Sequence, residues 1–214
     1  VNKIWRDARL KGAGIKRATT LVTAAEHSIG NTEAPRSARK EIRNLLEDYE
    51  GYKKRMDELM EEIEKTLSEI PYIDKLMEIN GIGIKTVSCF IAEVGDIGRF
   101  DNPKQVQKLA GYAIVADISG KHNGESRISH RGRKRLRYAL YEAAISVIGK
   151  NKEFKEIHSY YRTREKNPLK KMQSVIAVAC KLIRIFYTIL TKGVDYDGQK
   201  MLNDIVRPEI QPAA

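Results

Sequence analysis

Between Pro35 and Ile70 the apolar positions fall at Ile42, Leu45, Tyr49, Tyr52, Met56, Leu59, Ile63 and Ile70, with Thr66 filling the remaining place in the register. The steps alternate between three and four residues, and Glu, Lys and Arg occupy the positions between them. That heptad seam is the pattern of a coiled-coil helix. Two tyrosines and a threonine make it imperfect, and a long amphipathic helix lying on its own domain has the same periodicity. Pro35 suits a first helical turn and Pro71 closes the helix. Before it, helices are expected over residues 2–10 and 15–27, with turn material at 28–35. After it, a short helix precedes one over 84–94, and residues 96–105 turn into a helix carrying Val106, Leu109 and Ala110. Residues 112–129 read as a loop with one small strand pair. Helix resumes over 132–149, and a last long helix lies between Pro168 and Gly193, with Val175, Val178, Leu182, Ile183, Phe186 and Leu190 on its apolar side. The fold class is mainly α.

The junction between two of these helices reads NGIGIKTVSCFI, residues 80–91, and has a near copy in KGAGIKRATTLV, residues 11–22. Each places two glycines, Gly12 and Gly14 or Gly81 and Gly83, around one small or apolar residue. Each then places a lysine, Lys16 or Lys85, in the first turn of the next helix. Glycine permits positive φ and close backbone approach. The unpaired amides of the following helix make a natural phosphate site, aided by the helix dipole. The arrangement resembles the helix-hairpin-helix motif of DNA-binding proteins, whose contacts go to phosphate and carry no sequence information. A tight helix–helix turn without ligand is the plainer alternative.

Charge sharpens this reading. The 214 residues carry a formal net charge of +11. Residues 33–70 hold 8 basic and 11 acidic side chains, whereas residues 101–150 hold 10 basic and 4 acidic. The second stretch contains HRGRKRLR, residues 130–137. A concentrated basic segment suits a polyanion such as nucleic acid, and a solvated basic helix face is its alternative. No signal-peptide pattern stands at the N-terminus, and no apolar run reads as long enough to cross a membrane, so no membrane partner is expected. Cys89 and Cys180 lie in apolar helical patterns without Cys or His at ligand spacing, and read as buried free thiols of a reducing compartment.

From Asn80 onward the ordered run G-x-G, EVGDI-x-RF, PKQ-x-x-x-x-AG, SG and IS-x-RG-x-x-x-LR resembles the C-terminal transposase domain of one insertion-sequence family, the DEDD transposases related to the Piv DNA invertase. His130 stands where that family more often has lysine. The resemblance implies a bacterial recombinase acting in the nucleoid, in the cytoplasm, on the ends of a mobile DNA element. It also implies an N-terminal RuvC-like domain with four acidic residues holding Mg2+, absent from this chain, which begins with Val1. On that basis residues 1–32 are a hairpin-like segment following the missing domain. Residues 33–70 are a coiled coil that joins copies of the chain, 71–205 the transposase domain, and 206–214 a tail. In several members a structured RNA bridges donor and target DNA, so a guide-type RNA is a candidate partner.

The resemblance assigns the nucleophile to the serine of the SG pair, here Ser119. A serine that attacks a phosphodiester needs a base for its proton and positive charge around the pentavalent phosphorus. Lys121, Arg127, Arg131, Arg133, Lys134 and Arg137 are close in sequence and could supply that charge. By the residues alone, Ser126 and Ser129 compete with Ser119, and Ser129, just before a basic helix, suits an N-cap. Three functions remain distinct: the serine-bearing part of a transposase, inactive without its other half; a non-catalytic DNA-binding module; and an oligomerisation piece. The SG…IS-x-RG constellation separates the first from the others.

Overall fold

The computed structural model describes residues 14–28, 30, 35–115, 118–119, 122–123 and 127–203. They are mainly helical, and they belong to two compact units, residues 1–58 and 59–214, which divide inside the long helix. The first unit contains α1 (Gly14–Glu26) and the greater part of α2 (Pro35–Ser68). The helix expected over residues 2–10 and the tail after 205 lie outside the described residues. On α2 the seam residues Ile42, Leu45, Tyr49, Tyr52, Met56 and Leu59 are all more than half exposed. Among the described residues nothing covers them, so packing on the described core does not account for their apolar stripe.

The end of α2 behaves differently, and the expected register changes there. Ile63 and Ile70 pack against the core of the second unit and Leu67 is buried, while Thr66 is exposed and donates its hydroxyl to Glu62 O at 2.9 Å. The seam therefore passes through Leu67 rather than Thr66: the last turn is aimed by a globular core, and an apolar residue wins that position.

The second unit continues with α3 (Ile73–Met77), α4 (Ile84–Val94), a 3-10 turn (Ile97–Arg99) and α5 (Pro103–Leu109). Four two-residue strands follow: β1 (Ile114–Val115), β2 (Ile118–Ser119), β3 (His122–Asn123) and β4 (Arg127–Ile128). Then come α6 (Lys134–Lys150), α7 (Lys152–Thr163), α8 (Lys171–Lys192) and α9 (Gly198–Asn203). The helix starts have local causes. Asn102 accepts from Lys104 N at 3.0 Å with Pro103 in the first turn of α5. Asn151 accepts from Phe154 N at 3.2 Å at the start of α7, and Gln173 Oε1 accepts from Lys170 N at 2.8 Å at the start of α8. Such caps satisfy amides that a helix cannot satisfy itself.

Helix α8 is the spine, packed by α6, α7, α5 and α3. Val178, Ala179, Leu182, Ile183 and Phe186 have no exposed surface, and Phe186 meets Phe90 of α4 edge-on at 5.1 Å. By length and composition alone α8 is apolar enough to cross a membrane, contrary to the expectation that no run is. Its apolarity has a simpler cause, because one broad face, from Ser174 to Ile189, is buried against α3, α5, α6 and α7. Helices α7 and α9 were not marked by the sequence periodicity. Phe154 of α7 stacks on Tyr196 just before α9, with ring centroids 6.1 Å apart.

Candidate nucleic-acid interface

The hairpin-like junction lies between α3 and α4. Gly81 has φ of +101°, and a Cβ there would sit 3.0 Å from Val147 Cα and 3.1 Å from Ser146 O. The turn presses directly on α6, where Ser146 Oγ donates to Gly81 O at 2.7 Å and Asn80 Nδ2 donates to Lys150 O at 3.0 Å. Gly81 is thus required by a close approach between protein segments. Gly83 is extended and its Cβ position is open, with its carbonyl accepting from Thr86 N and Val87 N. That leaves the amides of Ile84 and Lys85 at the helix N-terminus without an intrahelical acceptor, and the Lys85 side chain is exposed. Of the upstream copy, Gly12 is outside the described residues, while Gly14 begins α1 and Lys16 is exposed in its first turn.

The loop expected at 112–129 is a hairpin with two antiparallel pairings. Ile114 opposes Ile128 and Val115 opposes Arg127, and further along Ile118 opposes Asn123 and Ser119 opposes His122. Ser119 therefore belongs to the outer strand pair. Ser126 and Lys121 lie outside the described residues. The base of the hairpin is tied to the domain. Ser129 N donates to Ala113 O at 2.8 Å, His130 N to Gly111 O at 3.1 Å and Arg133 N to Leu109 O at 2.7 Å. Gly132, with φ of +155°, lies so close to Leu109 O that a Cβ would stand 2.3 Å from it. Arg137 Nη1 donates to Ala110 O at 3.2 Å and His130 O at 3.1 Å, while Tyr112 Oη donates to Arg137 O at 2.8 Å. Ser129 does not cap α6. Its hydroxyl lies in the loop, 3.4 Å from Gly111 O and 3.3 Å from Arg131 N, and Arg133 is the residue at the cap position.

Arginines that look equivalent in sequence are divided by the fold. Arg133 Nη1 reaches Glu93 O at 2.6 Å and Glu93 Oε2 at 3.6 Å, which ties α6 to the end of α4. Arg137 holds the hairpin base as just described. Arg127 and Lys134 line an open groove, and Arg131 is exposed.

That groove runs between the β1–β4 pair with α5 and α6 on one side, and α8 with its preceding loop on the other; it encloses about 1660 Å³. One side supplies Lys104, Arg127, His130, Lys134 and Arg137, the other Lys170, Lys181 and Arg184. No Asp or Glu lines it among the described residues. Tyr112, Tyr138, Tyr141 and Tyr161 contribute phenol rings. Burial pushes the Tyr112 and Tyr161 hydroxyls above their usual range and raises the Cys180 thiol to about 11, so these groups are protonated and neutral at pH 7. Both cysteines are free. The α8 wall was missed from the sequence because Lys170 lies just before an apolar helix and Lys181 and Arg184 are interspersed in it. Among the described residues no cluster of His, Cys, Asp and Glu could hold a metal ion.

Among the described residues, the groove's charged lining is all cationic and tyrosine-bearing, a pattern that suits a polyanion. Residues 73–161, from α3 to the body of α7, match the family described as "Transposase IS116/IS110/IS902 family". The pilin gene-inverting protein of Moraxella bovis is 31% identical over 124 residues, which cover 57% of this chain and 38% of that protein. The match to the pilin gene-inverting protein of Moraxella lacunata has the same extent and identity. An uncharacterised 43.6 kDa protein of insertion element IS110 from Streptomyces coelicolor is 21% identical over 138 residues, covering 64% of this chain and 33% of that protein. The chain thus spans little more than a third of the length of these curated relatives.

Proposed function

We propose that the chain is the serine-bearing C-terminal part of a DEDD-type transposase or recombinase related to the Piv invertase, and that it binds DNA and supplies Ser119 as nucleophile. The observation that carries this reading is the coincidence of a match to a transposase family with a groove that, among the described residues, is lined by cations and no carboxylate, and that includes the strand pair at the base of the Ser119 hairpin. In the proposed step the Ser119 hydroxyl oxygen bonds to phosphorus as a deoxyribose oxygen leaves, and the serine proton passes to a base. The resulting phosphoserine conserves the phosphodiester for rejoining to another strand. Groove cations offset the charge that builds on the phosphoryl oxygens. The base and the Mg2+ that the reaction is expected to use belong to an acidic RuvC-like domain outside this chain. A guide-type RNA is a further expected partner. The exposed apolar stripe of α2 supports self-association through a coiled coil.

The test uses the protein extended by that acidic domain. Ser119→Ala is expected to abolish strand exchange while DNA affinity stays within a few-fold and keeps its steep salt dependence, as counterion release demands. A strand-nicked substrate is expected to leave DNA covalently on the peptide containing Ser119. Full recombination by Ser119→Ala, or an adduct on another residue, returns the chain to the alternative of a non-catalytic hairpin DNA-binding module.

A further inference from the structure

We propose that the groove takes an unpaired polynucleotide strand, with Tyr138 as the platform on which a base stacks. The inference rests on the nucleic-acid reading of the groove and adds the form of the ligand. Lys134, Tyr138 and Tyr141 are spaced by four and then three residues on α6, so they share one helix face. Tyr141 is half-buried, whereas Tyr138 keeps 63% of its surface exposed. Tyr138 makes no hydrogen bond or ring contact with another described residue. Ile114 on the hairpin and Met172 on α8 also line the groove, and they are 76% and 57% exposed. Three large apolar surfaces thus stand in solvent among the cations of a groove that no described carboxylate lines.

Leaving that much apolar and aromatic area in water has a cost that a ligand with both apolar and anionic parts would remove. An acidic protein would satisfy the cations, but it offers no regular alternation of flat apolar faces and phosphates. A duplex satisfies the cations too, but its base faces are already stacked and its outer surface is phosphate and sugar. An unpaired strand presents phosphates to Lys134, Lys170 and Arg184 and free base faces to Tyr138, Ile114 and Met172. Stacking of this kind tolerates any base, because every base has a π-face. DNA and RNA strands share this chemistry.

The test measures anisotropy of labelled dT and U homopolymers of about 20 nucleotides, longer than the ~4–16 that one single-strand fold covers. A duplex of equal length is measured beside them, all at low salt with the full chain. Tyr138→Ala is expected to weaken both single strands roughly 5- to 150-fold, the range of one lost base–aromatic stack, and to change duplex affinity by less than about twofold. Tyr138→Phe is expected to restore wild-type single-strand binding, because the ring rather than the hydroxyl does the stacking. Tyr138 is exposed, so thermal melts of both variants are expected to match the unmodified chain. Tighter binding of dT or of U identifies the strand as DNA or RNA. An unchanged single-strand affinity in Tyr138→Ala, an equal loss for duplex, or failure of Phe to restore binding would overturn the proposal. Duplex binding without single-strand binding sinks this inference alone; no binding of any nucleic acid sinks the reading of the groove itself.

Discussion

Gly81 and Gly83 are two residues apart in one motif, and the structure separates their roles sharply enough to measure. At Gly81 an alanine is held at φ of +101°, and its methyl meets the α6 backbone at Val147 Cα and Ser146 O. Holding a non-glycine residue in that region costs about 1–3 kcal/mol. Moving α6 away to admit the methyl weakens the Ser146 bond to Gly81 O, at about 1 kcal/mol. Alanine returns about 0.4–1 kcal/mol by restricting the unfolded chain. The sum for Gly81→Ala is a loss of roughly 1–3.6 kcal/mol. At Gly83 the backbone is extended and the Cβ position is open. There the gain in the unfolded chain roughly offsets the poorer N-cap, for a net change of about 0.5 kcal/mol or less. Urea titrations followed by far-ultraviolet circular dichroism give both values, and a domain of this size loses about 2–4 °C in melting temperature per kcal/mol. Equal stability of the two variants would refute the reasoning, because it would mean that the turn does not press on α6.

Two further outcomes follow from burial and charge. Glutamates at Leu45 and Met56 are expected to convert a self-associated chain to monomer with helicity retained, as light scattering and circular dichroism would report; Ile63 is a poor choice for this test because it packs against the domain core. A monomer in the unmodified chain at the highest workable concentration removes the coiled-coil proposal. The second outcome concerns His158, whose Nδ1 lies 2.8 Å from the buried Ser174 hydroxyl. Burial first, and then Arg162 and Lys171, hold its pKa below the ordinary 6.5. The folded state therefore binds fewer protons than the unfolded state as pH falls past 6.5, so stability is full above that value and declines below it until the folded pKa is reached. The stability difference between the unmodified chain and His158→Asn is expected to shrink from pH 7.5 to 5.5; a constant difference would show that His158 does not contribute.

Much of the candidate site was legible before any coordinates. The basic run from Arg127 to Arg137, the SG pair at Ser119 and the glycine pair at Gly81 and Gly83 are local patterns, and local patterns survive in one dimension. The same holds for the long helix beginning at Pro35 and for the apolar periodicity of α8, which follow from steps of three and four residues. Local periodicity also misled at Thr66, where the docking surface that favours Leu67 is formed by residues distant in the chain.

The sequence by itself determined that the chain is helical and that residues 101–150 carry 10 basic and 4 acidic side chains. Only the tertiary structure decided which cations line one groove. Arg133 is tied to Glu93 of a neighbouring segment, whereas Lys170, Lys181 and Arg184, from another part of the chain, complete the groove. The reason is that a groove needs two walls. Its walls are brought together by burial of Phe90, Leu140, Leu182 and Phe186 in a shared core, and no spacing along the chain records that meeting.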